Sequence, residues 1–268
     1  MTTFFDGDSY DTPAHARRFI ADRFPLGRLV LIQKIASIVF KSRKLALAGE
    51  YHDQEWAESS FACFKTVEGC GGKIHIDGLD NVRNLKKPVV FVANHMSTME
   101  TVVLPVLIVP YRKVTFVVKE KLVKGPVFGP VMRSRNPIAI GRVDPRKDLQ
   151  AVLDGGKKLL EDGTSIIIFP QSTRRDVFRR EQFNSLGIKL ALHAGVDVVP
   201  VALKTDFWSN GKRRTGFGPL QRKLPVYFSF GPPLTPVGRG KEEHMNVVEF
   251  IESRLKEWGA AIETDQPG

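Results

Sequence analysis

The residues of this sequence that first suggest chemistry are a histidine and a glutamate five positions apart. His95 closely follows an apolar run at Val89–Ala93, and Glu100 lies near the start of a predicted helix. Residues five apart on a continuous helix point about 140° away from each other, so the two side chains could not meet there. If His95 lies in the loop before the helix, the Glu100 carboxylate can hold one ring nitrogen while the other acts as a general base.

A second interpretation of these residues is structural. Ser97-x-x-Glu100 matches a capping box, in which Glu100 would only satisfy the end of the helix, although both roles can hold together. The sequence contains no HExxH pattern and no cluster of carboxylates, so we predict no metal site. It also lacks a Walker loop and a GxGxxG turn, so no nucleotide cofactor is expected.

A polar segment that directly follows another apolar run is the second candidate. Ser165–Phe169 leads into Pro170-Gln171-Ser172-Thr173-Arg174. Polar donors and a guanidinium at the carboxyl end of a strand can bind an oxyanion, and the forked guanidinium of arginine suits phosphate. The plainer alternative is an ordinary polar turn. Open α/β sheets bind their ligands at the carboxyl ends of strands, which is where both candidates lie.

Apolar or alternating runs, separated by helical patterns, must position these groups. They predict an α/β fold with a mixed, mostly parallel sheet that is covered by helices. The predicted strands are Lys73–Asp77, Val89–Ala93, Thr115–Val118, Ser165–Phe169, Val198–Leu203 and Val226–Phe230. The predicted helices are Pro13–Phe24, Leu26–Leu47, Asp53–Val67, one from Thr98 that Pro105 ends or kinks, Asp148–Glu161, Glu181–Ala194 and Glu242–Trp258. Residues 1–12 are predicted to be frayed.

The 268 residues carry a formal net charge of +11, and much of it is concentrated near the N-terminus. Between His15 and Ala48, eight lysines and arginines accompany one acidic residue and flank the apolar stretch Leu29–Phe40. A helix that is basic at its ends and apolar between them suits the interface of an anionic membrane. We therefore predict an N-terminal helical membrane-docking region at 1–72, before an α/β domain at 73–268. A core helix with a solvated basic rim, or a dimer contact, is the alternative.

Several classes of location and partner are excluded by the same sequence. The first twelve residues are polar and acidic, unlike a signal peptide, and no apolar stretch approaches the roughly 20 residues of a membrane span. Cys63 and Cys70 match no redox or zinc spacing, which favours a reducing compartment. No nucleic-acid motif is recognisable, so nucleic acid is not expected as a partner. We predict a peripheral protein on the cytoplasmic face of a membrane, with anionic lipids as partners.

Four sequence blocks occur in order over residues 88–203, and together they resemble one known family. Asn94-His95 with Glu100 is similar to a family block of Asn-His followed by Asp, and Phe169-Pro170-Gln171-Ser172-Thr173-Arg174 is similar to Phe-Pro-Glu-Gly-Thr-Arg. The other two blocks are Lys119–Gly129 with Ile140-Gly141-Arg142, and Val198-Val199-Pro200-Val201. The family is that of the glycerolipid acyltransferases, whose bacterial type is 1-acylglycerol-3-phosphate acyltransferase.

The resemblance implies an enzyme that transfers a fatty acyl group from acyl-CoA or acyl carrier protein to the hydroxyl of a lysophospholipid. The commonest acceptor in the family is 1-acylglycerol-3-phosphate, which gives phosphatidic acid. By analogy, His95 would be the general base and Glu100 would hold its tautomer. The acceptor phosphate would be held by Arg174 with Thr173, Ser172 and Gln171, to which Lys119 or Arg142 would add charge. The thioester is a co-substrate, and no cofactor is implied.

Three positions depart from the family pattern and leave the acceptor open. Glu100 is one methylene longer than Asp, Gln171 removes a negative charge, and Ser172 adds a side chain where the family has Gly. One alternative is therefore an acyltransferase that acts on another lysophospholipid or on a lyso-aminolipid. Another is a catalytically silent lipid-binding homologue. A second basic segment, Val201–Lys241, could face the membrane, an acidic carrier protein or the phosphates of coenzyme A.

Overall fold

The computed structural model describes residues 2–20, 26–171, 173–211 and 217–263, which form an α/β structure. The strands are β1 (Tyr10–Asp11), β2 (Ile74–Asp77), β3 (Val90–Ala93), β4 (Val114–Lys119), β5 (Ile138–Ile140), β6 (Ser165–Ile168), β7 (Phe178–Arg179), β8 (Val198–Lys204), β9 (Val226–Phe230) and β10 (Ile262–Glu263). The helices are α1 (Gly27–Leu47), α2 (Asp53–Gly69), α3 (Asp80–Arg83), α4 (Met99–Ile108), α5 (Glu120–Lys124), α6 (Gly129–Arg133), α7 (Pro145–Glu161), α8 (Leu186–Ala194) and α9 (Lys241–Glu257).

One sheet runs through the described part of the chain in the order β1-β2-β9-β8-β3-β6-β4-β5. The strands from β8 to β5 are parallel to one another, whereas β9 is antiparallel to β8 and parallel to β2. The short strands β7 and β10 pair with each other outside this sheet. The predicted mixed, mostly parallel sheet is confirmed.

Both faces of the central strands are buried, which is why these strands are apolar throughout. Along β3, Phe91 belongs to one cluster of core residues together with Phe64 of α2 and Leu107 of α4. Its neighbours on the strand, Val90 and Val92, belong to a second cluster that includes side chains of α7, α8 and α9. Successive side chains of a strand point to opposite faces, so a strand between two helical layers must be apolar at every position.

The N-terminal prediction is partly wrong. Residues 13–20 do not form the first part of the helix predicted at Pro13–Phe24, and residues 21–25 of that prediction lie outside the described ranges. The Phe19 amide donates to the Gly69 carbonyl at 2.8 Å, and the Phe19 ring packs closely over the same glycine at the end of α2. Backbone groups that bond to another element are not available for the ladder of a helix.

Residues 2–12 take part in the fold rather than fraying, contrary to the prediction for residues 1–12. Tyr10–Asp11 pairs antiparallel with β2, and Phe5 is buried. The hydroxyls of Tyr10 and Thr12 donate to the buried carboxylate of Glu68 at 2.7 and 2.8 Å. These partners lie more than 55 positions away in the chain, so local sequence patterns do not reveal them.

Two helix starts also differ from prediction, and at each a side chain before the helix accepts a hydrogen bond from a backbone amide in its first turn. The helix expected at Glu181–Ala194 begins at Leu186, whose amide donates to the Asn184 side chain at 2.9 Å. Helix α7 begins three residues earlier than expected, because the Asp144 side chain accepts the amides of Arg146 and Lys147. In the described part of the chain, the helices are too short or too polar to cross a bilayer.

Candidate active site

The loop that carries the histidine is fastened between two strand ends. Asn94 directly follows β3, and its side-chain amide donates to the Leu203 carbonyl of β8 at 2.8 Å. The Leu203 amide returns a bond to the Asn94 side-chain oxygen, also at 2.8 Å. This pair of hydrogen bonds connects the ends of two neighbouring parallel strands. It places His95 at the carboxyl edge of the sheet, where α/β proteins bind their ligands.

His95 lies in the loop before α4, and its imidazole meets Glu100 in the first turn of that helix. The distance from His95 Nδ1 to Glu100 Oε1 is 2.8 Å. The histidine side chain is 18% exposed, whereas the glutamate side chain is fully buried. A carboxylate on Nδ1 selects the tautomer that carries its proton there, which leaves Nε2 able to accept a proton.

Glu100 is surrounded by hydrogen-bond donors from the loop and from a distant strand end. The amides of Met96 and Ser97 donate to Oε1 at 2.6 and 3.0 Å. The Ser97 hydroxyl donates to Oε2 at 3.2 Å, and the Thr205 hydroxyl donates to the same oxygen. These hydrogen bonds replace those that the carboxylate would make with water if it were exposed, and so offset the free-energy cost of burying its charge. The hydrogen bond from the Ser97 amide to Glu100 is one half of a capping box. Glu100 therefore makes both contacts that the sequence suggested, one with His95 and one with the start of the helix.

Two residues after β6 support the histidine from the other side. The Phe169 ring stacks on the imidazole, with centroids 4.4 Å apart. The side-chain oxygen of buried Gln171 accepts the His95 amide at 2.7 Å. Phe169 therefore fixes the plane of the imidazole, and Gln171 fixes the backbone of His95, both independently of Glu100.

A cluster of three cations comes from three neighbouring strand ends. Lys119 ends β4, Arg142 follows β5, and Arg174 follows β6. Burial lowers the pKa of Lys119, and the charges of Arg142 and Arg174 lower it further. The Arg174 guanidinium also bonds the Thr98 hydroxyl just before α4. Like charges that lie close together repel, and a bound anion would relieve that repulsion.

The remaining predicted site residues have different positions. Thr173 is exposed next to Arg174, and Ser172 lies outside the described residues. The Arg142 backbone has φ +62°, and its amide donates to the Asp148 carboxylate at 2.8 Å. Among the described residues, no three His, Cys, Asp or Glu side chains lie together as metal ligands would.

The sequence interpretation missed the contributions of Thr205 and Phe169. Thr205 is the first residue after β8, and its contact with Glu100 spans 105 positions of the chain. The available signal was positional, because a polar residue directly after a buried parallel strand lies at the same edge as Asn94 and His95.

Together, the fold and the site define an α/β protein in which a histidine–glutamate pair lies at the sheet edge that also carries a cluster of cations. The acyltransferase family model matches residues 73–204. A 1-acyl-sn-glycerol-3-phosphate acyltransferase from Pseudomonas aeruginosa is 34% identical over 210 residues, which cover 78% of this chain and 77% of that protein. The chain belongs to this acyltransferase family, and it is an acyltransferase.

Two further matches extend the comparison. A 1-acyl-sn-glycerol-3-phosphate acyltransferase from Chlamydomonas reinhardtii is 32% identical over 59% of this chain and 44% of its own length. The crystal structure of the 1-acyl-sn-glycerophosphate acyltransferase PlsC from Thermotoga maritima superposes with a TM-score of 0.68, covering 90% of this chain and 98% of that chain. At 20% identity, this second match shows a shared fold.

Proposed function

We propose that this acyltransferase transfers a fatty acyl group from an acyl thioester to the hydroxyl of 1-acylglycerol-3-phosphate, which gives phosphatidic acid. The observation that carries the proposal is the contact between His95 and a fully buried Glu100, beside three converging cations. The relatives named above act on this acceptor according to their names.

The proposed reaction is a direct displacement at the thioester carbonyl. His95 Nε2 takes the proton of the acceptor hydroxyl as its oxygen attacks the carbonyl carbon. The tetrahedral intermediate collapses, the carbon–sulfur bond breaks, and the thiol leaves with the proton that the imidazolium returns. Glu100 stabilises the imidazolium in between. General-base assistance of this kind is worth about 10²–10⁴-fold in rate.

The cation cluster is the proposed site for the acceptor phosphate. Arg174 offers a fork of N–H donors, and the neighbouring Lys119 and Arg142 add positive charge. In 1-acylglycerol-3-phosphate only a few covalent bonds separate the phosphate from the reacting hydroxyl. A phosphate on Arg174, which itself bonds Thr98 near the imidazole, would therefore hold that hydroxyl close to His95.

An acceptor panel tests this proposal most directly. One labelled donor, supplied either as acyl-CoA or as acyl carrier protein, is offered 1-acylglycerol-3-phosphate, a lysophospholipid with a larger head group and a lyso-aminolipid. We expect the first acceptor to have the highest kcat/KM, and we expect Arg174→Ala to raise its KM by about tenfold or more. Preference for another acceptor, with KM unaffected by Arg174→Ala, would overturn the proposed substrate. No thioester cleavage with any acceptor would favour the silent lipid-binding alternative.

We also propose that α1 docks the enzyme on the cytoplasmic face of an anionic membrane. Leu29, Phe40 and Leu47 are 62%, 55% and 59% exposed. At 100° per residue, these three positions fall within about 20° of one another around the helix. Exposed Lys41 and Lys44 lie on the same helix. An apolar stripe with flanking lysines matches a helix that lies in a lipid interface.

A further inference from the structure

A basic cavity that begins at Arg174 lies beside the loop that carries His95. Its volume is about 300 Å³, and it is lined by residues of the segment after β6 and by Asn210. Three of these residues are arginines, Arg174, Arg175 and Arg179, against a single acid, Asp176, among the described lining residues. Guanidinium groups in excess at a concave site favour a phosphate ligand.

Hydrogen bonds connect residues that line this cavity to the loop that carries His95. The Arg175 amide donates to the His95 carbonyl at 2.9 Å, and the Asn210 side-chain amide donates to the Met96 carbonyl at 2.8 Å. The same Asn210 nitrogen donates to the Asp176 carboxylate at 2.9 Å, so the acid of the lining already has a partner. A ligand in the cavity would therefore be held in a fixed relation to His95.

The proposed reaction brings two phosphate-bearing substrates to one histidine. The acceptor phosphate lies only a few bonds from its hydroxyl, which suits the cluster around Arg174. The acyl donor is different, because a long phosphopantetheine arm separates its thioester from its first phosphate. A donor phosphate therefore needs cations of its own, apart from those that hold the acceptor phosphate. Arg175 and Arg179 follow Arg174 in the chain, and both line the cavity.

We propose that Arg175 and Arg179 bind the phosphate at the end of the phosphopantetheine arm of the acyl donor. Acyl-CoA and acyl carrier protein share this group, so one site would serve both. The assignment rests on the proposed function. Arg179 Nε pairs with the exposed Glu263 at 2.6 Å, and the other N–H donors of a guanidinium can still face an anion.

The test compares full and truncated donors in the double variant Arg175→Ala/Arg179→Ala. The donors are acyl-CoA, acyl carrier protein and an acyl-N-acetylcysteamine thioester, which keeps the thioester but lacks the phosphate. We expect the variant to raise KM about tenfold for both phosphate-bearing donors, and to leave KM for the truncated donor and for the acceptor unchanged. Because both side chains are partly or wholly exposed, the variant is expected to fold normally.

A matched control and the contrary outcomes make this test decisive. Lys158→Ala removes an exposed cation in the last turn of α7, at the amino end of β6 and so at the opposite edge of the sheet, and it should change none of these constants. Unchanged donor constants, an effect confined to one of the two phosphate-bearing donors, or a raised acceptor KM would each overturn the assignment. If the native enzyme transferred from none of the three donors, the proposed function itself would fail, which is a separate and visible result.

Discussion

The carboxyl edge of the sheet and helix α1 both break the usual rule that charged side chains are exposed and apolar side chains are buried, and they break it in opposite ways. At the edge, a glutamate is completely buried, whereas on α1 three large apolar side chains are more than half exposed. Carboxylates are rarely buried, and large exposed apolar patches on soluble proteins mark interaction surfaces. The stability of the fold therefore does not explain either the buried carboxylate at the edge or the exposed apolar side chains of α1.

The two regions differ in where their partners lie. Glu100 has its partners within the chain, since four different residues hydrogen-bond its carboxylate. The exposed face of α1 would acquire its partner only from lipid, according to the proposal above. Single substitutions of Glu100 and its hydrogen-bond partners should consequently affect the chemical step, and substitutions on the α1 face should affect only membrane binding.

The largest expected effect is that of Glu100→Gln. The variant removes the charge that stabilises the imidazolium, so we expect kcat to fall by about 10³–10⁴-fold in the labelled-acyl transfer assay. Glu243→Gln, at a buried glutamate of α9 that bonds the Val237 amide, is the matched control and should retain native kcat. Transfer by Glu100→Gln within tenfold of native would show that the buried carboxylate is not needed for the reaction.

The next effect is expected at Thr205, the distant donor to Glu100. Thr205→Val removes the hydroxyl but keeps the shape, so the carboxylate loses one charge-assisted bond, and we expect kcat to fall by about 10- to 100-fold. Thr205→Ser keeps the hydroxyl and should recover most of the rate. KM for both substrates should not move, because Thr205 touches the carboxylate rather than substrate. Equal losses for Val and Ser would indicate a packing role instead.

The α1 side of the comparison is tested by the pair Leu29→Gln and Phe40→Gln. We expect the double variant to bind vesicles of anionic lipid about tenfold more weakly and to change the free energy of unfolding by less than about 0.5 kcal/mol for each residue. Leu31→Ala, on the buried face of the same helix, should instead cost about 2–5 kcal/mol of stability. Unchanged vesicle binding by the double variant would refute the docking role.

The smallest expected effect is a pH dependence of acceptor binding. Burial and two neighbouring arginines lower the pKa of Lys119 from its ordinary 10.5, so this lysine loses its charge at a lower pH than usual. KM for the phosphate acceptor should therefore rise a few-fold as alkaline pH approaches that ordinary value. Lys119→Arg keeps its charge and should flatten this rise. The same rise in the Lys119→Arg variant would show that another group titrates.

Much of the central sheet could be predicted because its strands are buried on both faces. The predicted Val89–Ala93 and Ser165–Phe169 differ from β3 and β6 by single residues at their ends. The contact between His95 and Glu100 was also predictable, because the spacing allowed it only with the histidine in a loop.

The remaining features depend on contacts between distant parts of the chain. The strand at Tyr10–Asp11 and the course of residues 13–20 are fixed by bonds to Glu68 and Gly69. Thr205 contacts Glu100 from 105 positions away in the chain, and Gln171 contacts His95 from 76 positions away. No local period or propensity reports such partners, so their roles emerge only when the strand ends are brought to one edge.

The most direct test of the central claim is a double-mutant cycle on His95 and Glu100. Labelled-acyl transfer to 1-acylglycerol-3-phosphate is measured for His95→Ala, for Glu100→Gln and for both together, with circular dichroism to verify the fold. If the two residues act as one general-base unit, His95→Ala abolishes most of the rate, and adding Glu100→Gln lowers it no further. Near-native transfer by His95→Ala, or losses that simply multiply in the double variant, would contradict the account.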